Sequence, residues 1–143
     1  MPAVEAVNGA TLHGGNGPES AMNQAGQGDT VQDERTEVVV LVTTASEEEA
    51  ARIARSVVEA GLAACANIVP RIRSIYRWEG KVTDEQETLM LLKSRLELFP
   101  SLQEEIKRLH SYAVPEIIAL PIRKGLNQYL QWIHEETRKP LRP

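Results

Sequence analysis

ANIVPRIRSIYRWEGKVTDEQETLMLLKS, residues 66–94, is the stretch from which the rest of the chain is arranged. On the way out Ile72, Ser74, Tyr76 and Trp78 alternate with Arg71, Arg73, Ile75 and Arg77, and the chain returns through Glu87-Thr88-Leu89-Met90-Leu91-Leu92. Two runs of period 2 around Glu79-Gly80-Lys81 spell a β-hairpin with a glycine in its turn. Each arm runs to about twice the usual strand length of five or six residues. The tip, carrying Tyr76 and Trp78, therefore projects past anything a chain this short can lay over it. Exposed aromatics on an unpaired projection call for a partner, a bound molecule or another copy.

Upstream of the hairpin, Val38-Val39-Val40-Leu41-Val42 is a short β-branched run, apolar on both faces, which predicts a central strand covered on both sides. Ser46 with Glu49 three residues on forms a capping box, and Glu47-Glu48-Glu49 suit the positive end of a helix dipole. Ala50, Ile53, Ala54, Val57 and Val58 make one apolar stripe, and Gly61 stops the helix. Downstream, Pro100 fits only a first helical turn, so a second helix runs from Phe99 to about His110. Pro115 to Pro121 reads as a strand bracketed by prolines, at a sheet edge or only a few residues long. A last helix follows Gly125 with Leu126, Tyr129, Leu130 and Ile133 as its stripe.

That order, β-α-β-β-α-β with an extra C-terminal helix, predicts an α+β, ferredoxin-like fold: an antiparallel sheet with both crossover helices on one face. The other face is left bare by its own chain, and a closed ring of identical subunits is the economical cover.

The chain of 143 residues is one domain with a tail. Residues 1–36 hold Glu5, Glu19, Asp29, Asp33 and Glu34 against Arg35, lack aromatics and show no period, and read as disordered. They are acid-rich with no apolar h-region, unlike a signal or transit peptide. His13 lies within them and carries no expected role. Residues 37–143 form the folded domain, whose acids and bases balance, so no global field draws it to nucleic acid or an anionic membrane. Arg71, Arg73 and Arg77 read as one side of a charge ladder with Glu79, Asp84, Glu85 and Glu87 across the hairpin. No run of about eighteen apolar residues occurs, so no membrane span is expected. The lone Cys65 excludes an internal disulfide and suits a reducing, cytoplasmic compartment.

VVVLVTTASEEEAARIARSVVEAGLAACANIVP, SIYRWEGKV, ETLMLLKS, and HSYAVPEIIALPI followed by YLQW together resemble the CutA family of divalent-cation tolerance proteins. The resemblance covers Val38 to about Thr137. It implies a tight homotrimer, similar in architecture to the PII signalling proteins, with hairpins reaching across neighbouring subunits, and a link to divalent metals, copper above all. The family pattern His-Pro-Tyr-Glu-Val-Pro-Glu stands here as His110-Ser111-Tyr112-Ala113-Val114-Pro115-Glu116, and Leu109 stands where metal-binding members offer a second histidine.

No CxxC, HxxxH or His-carboxylate spacing marks a local metal site, so any ion is held by residues distant in sequence. The candidate ligands for copper or another divalent cation are His110, Glu116 and Cys65. Cys65 is equally a small buried hydrophobe, and His110 a charge on a helix C-terminus. Tyr76, Trp78, Lys93, Tyr112 and Trp132 are the candidate cleft and interface residues. Three function classes follow. One is a non-enzymatic trimeric metal-response protein. The second is a PII-like regulator holding a small anion or a partner protein in the inter-subunit cleft. The third is an enzyme with Cys65 as nucleophile, disfavoured because no histidine or lysine stands near it in sequence to activate the thiol.

Overall fold

The computed structural model describes residues 36–137, and the expectation for the remainder of the N-terminal tail lies outside them. The elements are β1 (Glu37–Thr44), α1 (Glu47–Glu59), β2 (Cys65–Trp78), β3 (Lys81–Arg95), a single 3₁₀ turn (Leu96–Leu98), α2 (Phe99–Leu109), β4 (Ile117–Pro121) and α3 (Asn127–Glu136). The four strands form one sheet in the order β2-β3-β1-β4, every neighbouring pair antiparallel. This is the expected ferredoxin-like α+β arrangement with its extra helix.

Sequence dictates the local turns closely. Trp78 pairs with Lys81, so the hairpin loop is the two residues Glu79 and Gly80. Both have positive φ, 48° and 76°, the requirement of the type I′ turn whose twist matches the strands. A second irregularity sits lower down. Between Val69 and Ile72 the pairing with β3 slips through Pro70 and Arg71, with Arg71 at φ 57°. The bulge bends the outer half of the hairpin. Beyond Thr88 the arms pair only with each other, so the tip extends roughly 20 Å past β1.

Ser46 caps α1, its Oγ accepting the Glu49 N–H at 3.1 Å. The reciprocal half of the capping box differs from expectation. Glu49 Oε1 accepts from the Ala45 N–H at 3.4 Å, and its Oε2 reaches the Ser111 N–H at 3.2 Å. At the other end Leu62 N–H bonds the Val57 carbonyl and Gly61 N–H that of Val58. With Gly61 at φ 69° this is a complete Schellman stop.

The core lies between one sheet face and α1 and α2. Val38, Val40, Val42, Met90 and Leu92 from the sheet meet Ala50, Ile53, Ala54, Val57, Leu102 and Ile106. Val58, expected in the stripe, is 38% exposed, because the helix turns it past the edge of the contact. α3 forms a separate small cluster, Leu130 and Ile133 on Ala64 and Ile122. Of its expected stripe, Leu126 is 71% exposed, since it precedes the helix with extended backbone, ψ 122°. A Cβ on Gly125 would stand 3.0 Å from Leu130 Cδ2, so the glycine gives Leu130 its seat. Arg95 fastens the far end of α3, its Nε donating to Thr137 Oγ1 at 2.8 Å and Nη2 to the Thr137 carbonyl.

The opposite sheet face is bare. Cross-strand partners share a face, so the register sets Leu120, Val39, Lys93 and Cys65 in one row and Ile118, Leu41, Leu91 and Asn67 in the next. Leu89 and Val69 follow, and Ile118, Leu120 and Val69 are each 40% exposed or more. Among the described residues, central β1 is thus covered on one side by α1 and α2, while on the other α3 reaches only the end of the sheet at Cys65 and Arg95.

Candidate functional site

The described residues hold two polar clusters, one where α2 ends and one at the start of β2. The first is built where the chain leaves α2. His110 is the C-cap residue of α2, its side chain buried. Its Nε2 lies 2.8 Å from the Thr43 carbonyl, and its Nδ1 accepts the Tyr112 N–H at 3.0 Å. A carbonyl can only accept and an N–H can only donate. In this arrangement Nε2 donates to Thr43 and Nδ1 accepts from Tyr112, so both nitrogens are engaged, with Glu49 Oε1 3.9 Å from Nδ1. Tilted 48° against the imidazole with ring centres 4.7 Å apart, Tyr112 donates its hydroxyl to Glu87 Oε2 at 2.9 Å, and burial with that carboxylate pushes its phenol well above the usual range.

Glu116, half-buried beside β4, has its carboxyl raised by burial and then by the charge of Glu87. A carboxyl raised in the folded state stabilises fully below its unfolded value, and that contribution is lost as pH climbs through the folded value. Glu116→Gln is accordingly expected to raise the thermal midpoint at pH 7 by about 2 °C and to flatten the gain seen on acidification toward the ordinary carboxyl value of 4.5. An unchanged or lowered midpoint in a calorimetric scan would disprove that assignment.

The second cluster lies at the start of β2. Cys65 is half-exposed and free; its Sγ stands 3.8 Å from the Tyr129 hydroxyl, which burial and then the cysteine raise above its ordinary range. Tyr129 stacks on Trp132, ring centres 5.5 Å apart. Across the strand Lys93 donates its ammonium to Asn67 Oδ1. Asn67 and Tyr129 were not picked out for this site by sequence reasoning. The spacing Cys65-Ala66-Asn67 on a predicted strand could have signalled Asn67, whereas Tyr129 needed the docking of α3.

The expected sites do not assemble within one chain. Cys65 pairs with Lys93, while Thr43, which binds His110, pairs with Leu89, four residues or about 13 Å along the strand. Tyr76 and Trp78 sit out at the hairpin tip, far from Lys93 and Trp132. Tyr76 gives its hydroxyl to Glu85, which pushes it up to about 12. Of the charge ladder, Arg73 binds Asp84, at 2.9 and 2.6 Å. Glu85 and Glu87 alternate onto the other face and serve the two tyrosines instead. For copper the fit fails on the same geometry. His110 has no open nitrogen, Cys65 lies at the other end of the face, and no group of three histidine, cysteine, aspartate or glutamate side chains able to hold an ion occurs among the described residues.

An antiparallel ferredoxin-like sheet with a long bulged hairpin and an uncovered apolar face defines the class. Residues 38–136 match the family described as CutA1 divalent ion tolerance protein, and the chain belongs to that family. It is 54% identical over 101 residues to the divalent-cation tolerance protein CutA of Thermus thermophilus, which covers 71% of this chain and 98% of that one. Mouse protein CutA is 47% identical over 96 residues, 67% of this chain, and there the match spans only 54% of the relative's length. Among solved structures, the Thermus thermophilus protein superposes with TM-score 0.70 over 71% of this chain and 99% of its own, at 54% identity. CutA1 from Oryza sativa gives 0.71 over 73% and 96%, at 46% identity.

Proposed function

We propose that this chain is a non-enzymatic divalent-cation tolerance protein that works as a closed ring of three copies and binds its ligand at the seam between them. The single observation carrying this reading is the open face, on which Val39, Leu41, Leu89, Leu91, Ile118 and Leu120 form contiguous apolar rows left largely uncovered by the described residues, Ile118 and Leu120 nearly half exposed. Burying such a face is favourable at about 25 cal/mol per Å², and closed rings of identical chains are the common soluble solution. The overhanging hairpin then has a neighbour to lie on, which brings Tyr76 and Trp78 of one copy to another. Light scattering of the full chain tests the assembly: three chain masses are expected, and one chain mass overturns it.

Of the two ligand classes, the geometry favours a small anion or partner protein over copper. Any copper held by the protein is expected to bypass His110. Calorimetric titration of Cu(II), with Zn(II) as control, should give the same stoichiometry for the unaltered chain and for His110→Gln, whose carboxamide can still donate to the Thr43 carbonyl. A stoichiometry that falls in the variant would restore His110, with Glu116 or Cys65 assisting, as the metal site. The single Cys65 supports a reducing compartment, and we place the protein in the cytoplasm.

A further inference from the structure

Lys93 is the one charged group in the two apolar rows at the foot of the sheet, flanked by Val39, with Leu120 beyond it in the same row and Leu91 two residues before it on the same face. Its sole polar contact is the neutral Asn67 carbonyl oxygen. No carboxylate among the described residues pairs with it. An ammonium left unpaired on a face that becomes covered costs several kcal/mol in real proteins. Beside it the remaining groups are donors. Asn67 has spent its oxygen on Lys93 and keeps both carboxamide N–H groups. Tyr129, whose phenol burial and Cys65 keep protonated, stands with the thiol on the other side of Cys65's row. Apolar Leu91 and the Tyr129–Trp132 ring pair wall the same place.

A cation with no carboxylate of its own, a carboxamide N–H pair and a phenol beside it, and an aromatic wall are together the complement of one chemistry. We propose that Lys93, Asn67 and Tyr129 form a binding subsite for a small organic acid, its carboxylate on the Lys93 ammonium and the Asn67 carboxamide and its apolar body against Tyr129 and Trp132. Two charge-assisted hydrogen bonds fix the carboxylate. Tyr129 and Trp132 are 42% and 37% exposed in the single chain, and a neighbouring copy seated on this face is what excludes water from it. Cys65, at the floor, contributes a small polarizable surface rather than a nucleophile.

This site rests on the seam reading for its closure, and the test separates the two. Benzoate is titrated into the full chain, followed by tryptophan fluorescence and by calorimetry, with inorganic phosphate as comparison, and light scattering is run on every sample. Saturable benzoate binding, weakened about tenfold or more by Lys93→Gln and by Asn67→Leu with mass unchanged, is the expected result. Binding at one chain mass would sink the ring and keep the subsite. Absence of saturable binding by the unaltered protein overturns the subsite, whatever the mass. If Lys93→Gln lowers the mass and benzoate does not bind, the counter-charge is a neighbour's carboxylate and the proposal is wrong.

Discussion

Leu91→Glu is expected to yield a folded chain that scatters light as one copy, where three copies are expected of the unaltered protein. Leu91 lies at the middle of the bare face, between Leu41 on β1 and Asn67 on β2. Within a single chain it is half-buried with an open side, so a glutamate there can stay hydrated and the helix-side core of Val40, Met90 and Leu92 is untouched. In the ring the same carboxylate loses its water, and the Lys93 ammonium two residues along the same face offsets only part of that cost, which is several kcal/mol for each copy. Three such costs outweigh the apolar gain. Circular dichroism separates dissociation from unfolding, and a variant that still scatters as three copies would move the seam off this face.

Glu49→Ala should lower the unfolding free energy by about 3 kcal/mol in urea denaturation. Glu49 is only 6% exposed, and its two oxygens serve backbone N–H groups from separate segments, Ala45 and Ser111. Deleting the carboxylate removes two charge-assisted bonds, at about 1.5 kcal/mol each, since water can reach the N–H groups of the exposed Ala45 and Ser111. Because Ser111 begins the path to Tyr112 and Glu116, amide exchange over residues 110–116 should quicken well before the β1 and β3 amides do. A loss under about 1 kcal/mol would reduce Glu49 to an ordinary helix cap.

The fold was legible because its signals are local and agree with one another. Glu79-Gly80 between alternating arms, Ser46 before an apolar stripe and Gly61 after it each name a turn or a stop through backbone chemistry alone. The face of each strand followed from period 2, except that Pro70 and Arg71 hid a bulge. Only pairing with β3 reveals that extra residue.

The candidate site was less legible, for a physical reason. Whether His110 can take a ligand depends on what its two nitrogens already bind, and Thr43, 67 positions away, is invisible to spacing. Glu85 and Glu87 looked like partners for arginines because charge is read more easily than face; their tyrosines lie across the strand or beyond α2. Lys93 was singled out by its residue type, but its lack of a counter-charge could be seen only once Val39 and Leu120 were placed beside it.

β4 has a further consequence, for solubility. It is five residues long and mostly apolar, Ile-Ile-Ala-Leu before Pro121, on the outermost position of the sheet. Such an edge invites runaway sheet growth into fibrils. Pro115 ahead of it and Pro121 at its end have no N–H to offer an incoming strand, so the edge can take a few rungs of pairing and no more. The prolines act as gatekeepers: they let the chain keep a sticky, finite rim suited to closed association while denying a template for open-ended aggregation.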